Sequence, residues 1–394
     1  MKFREFYENF NIDLGDKLYL TCGGNVVLPD GTAAEKIDIT KFNEKLFEEF
    51  KTDLLKSFED INKKYEKFSK TPLWVDFKKL TSNGKIFSGS TRSFFTKPLA
   101  EFVKFKKSVG DMDIQVPESC MPKLKEFLVS HTKKMFGVFE FSGFTNNGTQ
   151  YNGLLKAPEK YSMFSKFIQI DFEGTPYEGN EPTEFATFGH YSSWTDIENG
   201  IKGLFIKYLM RSISAGIKKE KVQLVSMKTR KPVKTEPLEN FFGFSVDKGF
   251  REKLLPNLDD DGNIIYINNL PSYYEVPPKD AKYEQSLENI FEILFGKVPT
   301  QQEKQMMFSF VKTLSLMQQY WNNNHTKIEA IFDDFINLLW GPSAQGIERN
   351  NPIADNEIKT VAYNAFVMSF GFLKSKEPKV ANMKNNFYKN YKMT

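Results

Sequence analysis

The feature that most constrains the fold of this chain is a short run in which acidic and apolar residues alternate. It follows Gly110 and reads Asp111-Met112-Asp113-Ile114-Gln115-Val116. Alternation with a period of two after a glycine predicts a β-strand. Residues i and i+2 of a strand point to the same face of a sheet. The sequence therefore predicts a sheet with Asp111 and Asp113 on one face and apolar side chains on the other.

Two carboxylates that share one face repel each other unless a cation neutralises them. An Asp-x-Asp pair also occurs at solvated strand edges and in turns, but oxygen ligands of this kind suit Mg²⁺ or Mn²⁺. Asp171 lies in a second strand-like run, Lys166 to Phe172, and a neighbouring strand could bring it to the same point. Three convergent carboxylates can hold two metal ions, which activate an attacking oxygen and stabilise a leaving oxygen.

Several residues are candidates for binding a triphosphate. Gly89 lets the backbone approach a phosphate and Ser90 can donate to it. A helix that begins there would add the attraction of its N-terminus. Arg92 can reach a phosphate or be simply exposed. Lys207 and Arg211, four residues apart on a predicted helix, can bind a triphosphate or a nucleic-acid backbone, or form an ordinary solvated face.

The order of these motifs resembles that of the DNA polymerase beta-like nucleotidyltransferase superfamily. Its pattern is apolar-Gly-Ser, then carboxylate-apolar-carboxylate-apolar, then a third carboxylate between apolar residues. The matching positions here are Phe87-Ser88-Gly89-Ser90, Asp111-Met112-Asp113-Ile114 and Ile170-Asp171-Phe172. The resemblance is at the level of motifs and covers about Tyr19 to Ala215.

Within that superfamily the chain looks most like phage-encoded nucleotidyltransferases. These often carry an early Gly-Gly-Asn, matched by Gly23-Gly24-Asn25, and a Lys-Gly near the start of a helix, matched by Lys202-Gly203. One departure is the stretch from Ser90 to Asp111, which is longer than is usual. We interpret Phe94 to Lys107 as an insertion or an extended helix.

The resemblance implies a fold and a role for each site residue. The fold is α+β: a nucleotidyltransferase-type mixed β-sheet with flanking helices, plus a helical C-terminal region. By resemblance, Asp111 and Asp113 would bind both metal ions, Mg²⁺ or Mn²⁺. Asp171 would bind the catalytic metal and help to activate the acceptor hydroxyl. Gly89 and Ser90 would bind the triphosphate.

The expected activity is transfer of a nucleoside monophosphate from a nucleoside triphosphate to an acceptor hydroxyl. The expected acceptor is a nucleic acid, with an RNA or tRNA 3′ end as one candidate, or otherwise a protein or a small molecule. The alternative is a catalytically silent phage binding or virion-associated protein that retains the fold. A metal-dependent nuclease could use the same acidic residues, although the Gly-Ser pair favours triphosphate binding. No Walker-type Gly-Lys-Ser/Thr loop is present, which argues against a P-loop NTPase.

Length and composition set expectations for domains and compartment. A chain of 394 residues predicts two or three domains at ~150 residues each. The patterns predict a catalytic domain over 1–217, a β-rich extension over 218–280 and a helical domain over 281–394. The net charge of +4 is low for a dedicated nucleic-acid coat protein. Two distant cysteines and no apolar leader or long apolar run predict a cytoplasmic protein, in the host if phage-encoded, with no membrane partner.

Five further patterns predict local structure. They are an amphipathic helix over Lys41 to Lys70, a hairpin turn at Asn146-Asn147-Gly148, one long helix over Trp194 to Ile217, a basic stretch over Lys218 to Lys234, and a mobile polar tail over Lys374 to Thr394. The basic stretch could hold a nucleic-acid acceptor or form a solvated hairpin.

Overall fold

The computed structural model divides the chain into two compact units, Met1–Ser192 and Ser193–Thr394. The residues that it describes are 19–20, 26–27, 34–146, 150–190, 193–215, 220–238, 242–245, 248–277, 279–341, 344 and 352–391. The Gly23-Gly24-Asn25 motif lies outside them, as do Asn147 and Gly148 of the predicted turn. Among the described helices, none has the length and apolar character needed to cross a bilayer.

The first unit consists of a mixed sheet with helices around it. Its helices are α1 (Glu44–Ser69), α2 (Phe77–Ser82), α3 (Gly89–Thr96), α4 (Leu99–Phe105), α5 (Met121–Ser130) and α6 (Glu184–His190), with 3₁₀ turns at Ile39–Lys41, Glu118–Cys120 and Glu159–Tyr161. Its strands are β1 (Tyr19–Leu20), β2 (Val26–Val27), β3 (Ile37–Asp38), β4 (Ser108–Val109), β5 (Asp111–Pro117), β6 (Lys134–Phe136), β7 (Phe139–Asn146), β8 (Gln150–Lys156), β9 (Phe167–Thr175), β10 (Tyr177–Glu178) and β11 (Glu181–Pro182).

The central sheet of this unit has five strands in the order β5-β9-β8-β7-β6. β5 pairs with β9 in parallel, whereas the other neighbours are antiparallel. Beyond β5, Phe87 forms an antiparallel bridge with Ile114, so the segment before α3 runs beside the edge of the sheet. The predicted strands around Asp111 and Asp171 are confirmed, and β7 and β8 form the predicted hairpin.

One face of this sheet is covered by α1, the amphipathic helix predicted over Lys41 to Lys70. The Asn43 side chain caps its start by accepting from Leu46 N, and Lys70 ends it in the left-handed region at φ +71°. Its buried side chains share one core cluster with the apolar face of the sheet, including Phe50, Leu54, Phe58, Met112, Ile114 and Ile170. Because side chains alternate along a strand, this packing leaves the carboxylates on the opposite face.

A buried hydrogen-bonded link ties α1 to the strand that carries Asp111 and Asp113. The Asn62 amide donates to Trp74 O at 2.9 Å and accepts from Trp74 N at 3.0 Å. The Trp74 indole in turn donates to Gln115 O at 2.9 Å. The helix and β5 are thus joined through one residue, Trp74, whose backbone binds Asn62 and whose indole ring binds Gln115.

The second unit combines small sheets with a helical C-terminal region. Its strands are β12 (Glu220–Val225), β13 (Pro232–Leu238), β14 (Phe242–Ser245), β15 (Gly249–Glu252), β16 (Leu254–Pro256), β17 (Tyr266–Ile267), β18 (Leu270–Glu275) and β19 (Tyr283–Glu284). Its helices are α7 (Trp194–Glu198), α8 (Leu204–Ala215), α9 (Leu287–Phe295), α10 (Gln301–Met306), α11 (Phe310–Trp321), α12 (His325–Trp340), α13 (Pro352–Ser369) and α14 (Glu377–Tyr391), with a 3₁₀ segment at Gly371–Lys376. The predicted combination of a mixed sheet, flanking helices and a helical C-terminal region is confirmed.

Two local predictions are wrong. The single helix predicted over Trp194 to Ile217 is interrupted between α7 and α8, where Gly200 takes a left-handed φ of +72° that ends the first helix. The tail predicted over Lys374 to Thr394 contains α14, which buries Val380 to 3% exposure.

The basic stretch contains the antiparallel hairpin of β12 and β13. Its described cations, Lys221, Lys228, Arg230, Lys231 and Lys234, are exposed, whereas Lys218 and Lys219 lie outside the described residues. The hairpin is therefore confirmed, and a nucleic-acid role for it stays a prediction. The division between the units falls before α7, whereas the range 1–217 includes α7 and α8; the boundaries at 217 and 280 stay predictions.

We expect Asn62→Leu to lower the free energy of unfolding by about 2 kcal/mol or more, because it leaves both buried Trp74 backbone groups without their partner. Urea denaturation would measure the change. Lys63→Leu, at the next and exposed position of the same helix, should change stability by no more than about 0.5 kcal/mol. Equal stability of the two variants would contradict the role of this link.

Candidate metal centre

The three predicted aspartates lie together on one face of the central sheet. In the parallel pair, the register sets Asp113 opposite Asp171 and Asp111 opposite Gln169. One carboxylate oxygen from each aspartate lies within 4.8 Å of the others. Asp171 is 4% exposed, and Asp111 and Asp113 keep partial contact with solvent. This group can hold a metal ion.

Burial, together with the crowding of negative charge, raises the pKa of all three aspartates. Burial raises the pKa of Asp111, and the charge of Glu173 adds to the rise while Lys106 opposes it. The pKa of Asp113 lies well above its ordinary value because its carboxyl is desolvated and because Glu173, Asp111 and Asp171 surround it. A divalent cation would relieve this repulsion, so the donor set fits a hard cation.

Asp171 lies among polar side chains of β8 and β9. Burial raises its pKa to about 7, while contacts from Asn152 and Gln169 oppose that rise. Gln169 Nε2 donates to both carboxylate oxygens, at 2.9 and 3.2 Å, and Gln150 Nε2 donates at 3.4 Å. Asn152 lies directly opposite Asp171 on β8; its fully buried amide makes no hydrogen bond of normal geometry.

A fourth carboxylate, Glu173, belongs to the same face and was missed in the motif pattern. It lies two residues beyond Asp171 on β9 and opposite Gln115 of β5. Its carboxylate accepts from Ser88 Oγ at 2.7 Å, which ties the loop before α3 to the sheet. The alternation Gln169, Asp171, Glu173 along one strand is the sequence signal that could have found it.

The Gly-Ser motif contacts the carboxylate strand. Gly89 begins α3 in the left-handed region at φ +52°, and a Cβ there would lie 3.0 Å from Asp113 Oδ2. Ser88 N donates to Asp113 O at 3.2 Å, and Asp113 N donates to Thr91 Oγ1 at 2.9 Å. The start of α3 is therefore held beside Asp113 by hydrogen bonds to both the N–H and the C=O of that residue.

The long connection between Ser90 and Asp111 does not separate the two motifs. Phe94 to Lys107 comprises the end of α3 and the separate helix α4, which begins after Pro98. Phe94 and Phe102 from these helices are buried in the same core as α1. The chain then continues into β4 and β5. The extra length is therefore taken up by the end of α3 and by α4, and Gly89 stays beside Asp113.

Lys106, at the end of this connection, brings a cation that the motif pattern missed. Its Nζ donates to Ser90 Oγ at 2.5 Å, and its charge lowers the pKa of Asp111. Arg92 lies further along α3, and its side chain packs against the turn at Gly84. A Cβ atom added to Gly84 would lie 3.1 Å from Arg92 Cγ. Ser90 is thus held beside Lys106, whose charge acts on Asp111. The Arg92 side chain instead contacts the turn at Gly84.

The structure divides the predicted nucleotide-binding residues between the two units. Gly89, Ser90 and Arg92 belong to the unit of the aspartates, whereas Lys207 and Arg211 lie one turn apart on α8 of the second unit. A nucleotide-binding role for these two basic residues stays a prediction.

No family model, no curated protein and no solved structure matches this chain.

The raised pKa of Asp171 predicts how pH affects the metal-free protein. A carboxyl with a folded-state pKa of about 7 against 3.8 contributes stability while it is protonated, and this contribution is lost as pH rises through 7. The contribution is complete below the unfolded pKa of 3.8, so the free energy of unfolding should fall as pH rises from about 4 to about 7. One pKa unit corresponds to ~1.4 kcal/mol, which sets a ceiling of about 4 kcal/mol.

Asp171→Asn should reduce this pH dependence, because a neutral amide replaces one of the buried carboxyls with a raised pKa. Asp111 and Asp113, whose pKa values are also raised, retain the rest. Thermal unfolding at pH 5 and pH 8, in a chelator, would measure it. The exposed Asp260→Asn serves as the control and should behave like the wild type. An Asp171→Asn protein whose stability falls between pH 5 and pH 8 as much as that of the wild type would contradict the assigned shift.

Gly89→Ala should weaken Mn²⁺ binding, because the new methyl group approaches Asp113 Oδ2 and the left-handed backbone costs about 1–2 kcal/mol with a side chain. Isothermal titration with Mn²⁺ would measure the dissociation constant. Gly110→Ala is a matched control beside Asp111, since a Cβ there would meet only Lys36 Cγ at 4.0 Å. Equal affinities in the two variants would show that Gly89 does not constrain the site.

Proposed function

We propose that this protein is a metal-dependent nucleotidyltransferase that moves a nucleoside monophosphate from a nucleoside triphosphate to an acceptor hydroxyl. One observation carries the proposal: Asp111, Asp113 and Asp171 converge on one face of the sheet, and Gly89 at the start of α3 lies against Asp113. Neither half of this arrangement is specific by itself. Together they set a phosphate-binding helix start beside a metal-binding carboxylate group.

The carboxylates would hold Mg²⁺ or Mn²⁺, and two such ions supply activation of the attacking oxygen and neutralisation of the leaving phosphate. Asp111 and Asp113 bind these cations from β5. Asp171 would hold the catalytic metal from β9 and help to activate the acceptor hydroxyl. Lys106 and the backbone of α3 offer positive charge and N–H donors to the triphosphate.

The architecture of the first unit supports a nucleotidyltransferase-type fold. A helix that begins at a Gly-Ser pair follows a segment bridged to the edge strand. The next long strand carries the Asp-x-Asp pair, and a later parallel strand carries the third carboxylate. This is the order that the motif resemblance implies.

We propose a nucleic-acid acceptor, with an RNA or tRNA 3′ end as a candidate and a protein or small molecule as the other classes. All three carboxylates are present, which favours activity over a silent phage or virion-associated protein. The sparse cysteines support a reducing compartment such as the cytoplasm.

The test is transfer of label from each of the four NTPs, with Mg²⁺ or Mn²⁺, to pooled tRNA, DNA or host protein. We expect label to enter one acceptor class and to fall by at least about 100-fold in Asp111→Ala and Asp171→Ala, because removal of a metal ligand costs several kcal/mol of transition-state stabilisation. Asp260→Asn should retain full transfer. Unchanged transfer in Asp171→Ala, or no transfer from any NTP to any acceptor, would contradict the proposal.

A further inference from the structure

Gln169 lies at the centre of the carboxylate face but bears no charge. It is on β9, opposite Asp111 of β5 and opposite Leu154 of β8. Its side chain is 1% exposed. A buried amide in this position is costly unless its donors and acceptor are all used.

The hydrogen bonds of Gln169 fix which way its amide faces. Val26 N, on β2, donates to Gln169 Oε1 at 2.9 Å. Because a backbone N–H can only donate, the oxygen must face β2 and the NH₂ group must face Asp171. That NH₂ group then spans both oxygens of Asp171, at 2.9 and 3.2 Å.

The N-terminal hairpin is thereby connected to the metal centre. β1 and β2 pair antiparallel, with Leu20 opposite Val26, and Val26 is fully buried. A three-part chain runs from the backbone of β2 through the Gln169 amide to the Asp171 carboxylate. The amide restrains the Asp171 carboxylate, because turning the carboxylate away from the amide would break the bond to at least one of its oxygens.

We propose that Gln169 is a positioning residue that couples docking of the β1–β2 hairpin to the metal affinity of Asp171. This inference rests on the metal-binding part of the proposed function. Among the hydrogen bonds described for Asp171, those from Gln169 are the shortest, since Gln150 donates at 3.4 Å and Asn152 makes none of normal geometry. Partners that orient a metal ligand typically contribute about 10–100-fold to metal affinity.

The first test replaces the amide with an apolar side chain of similar length. Gln169→Met should weaken Mn²⁺ binding by about 10–100-fold in isothermal titration of the full chain. Gln115→Met is the matched control: Gln115 is also 1% exposed, lies on the same face of β5, and its side-chain oxygen has no hydrogen-bond partner. It should bind Mn²⁺ within about twofold of the wild type.

The second test leaves every side chain of the sheet unchanged, and so serves if Gln169→Met does not fold. Val26→Pro removes the N–H that orients the Gln169 amide, and it should also weaken Mn²⁺ binding. Because proline also fixes φ and restricts the preceding residue, thermal unfolding of the variant is measured beside its Mn²⁺ affinity. Val26→Ala shortens the same side chain but keeps the N–H, and it should bind Mn²⁺ nearly as tightly as the wild type. If the role of the hairpin were merely structural, the loss of Mn²⁺ affinity in each variant would follow its loss of thermal stability.

The outcomes separate this inference from the proposed function. Wild-type Mn²⁺ affinity in folded Gln169→Met, or equal affinities in Val26→Pro and Val26→Ala, overturns the coupling even if nucleotide transfer is found. Loss of affinity in Gln169→Met and Val26→Pro, with no transfer to any acceptor, supports the coupling and contradicts the transferase. A wild-type protein that binds no Mn²⁺ overturns both.

Discussion

The candidate site depends on the parallel pairing of β5 with β9. This pairing sets Asp113 opposite Asp171 and so brings together carboxylates that are far apart in the chain. A slip of one residue would turn Asp171 to the apolar face, because the side chains of a strand alternate. The opposite face enforces the register, since Met112 and Ile170 are buried in the core beneath it.

The same pairing concentrates negative charge at a cost in stability. Asp113 carries that cost most clearly, because burial raises its pKa and the charges of Glu173, Asp111 and Asp171 add to that rise. The protein offsets part of the repulsion with Lys106 near Asp111 and with the Gln169 amide on Asp171. A fold under selection for stability alone would have little reason to keep this arrangement, whereas binding of a cation gives one.

Some parts of the structure could not be predicted from local pattern, for identifiable reasons. Lys106 is part of no motif and matters through its position beside Ser90. Glu173, by contrast, continues the alternation of β9, a local signal that the three-carboxylate motif does not include. α14 was mistaken for a tail because much of its packing uses charged side chains. Lys384 Nζ, for example, lies 4.3 Å from the Trp340 ring centroid, a contact that a count of apolar residues does not include.

The sequence by itself determined that Asp111 and Asp113 share a face, because alternation along a strand is a local property of the backbone. It also determined the amphipathic helix α1 from the spacing of its apolar residues. Only the tertiary structure decided that Asp171 stands in register with them and that Gly89 lies against Asp113. Those contacts depend on pairing between distant segments and on burial of the α3 and α4 rings, which no local pattern specifies.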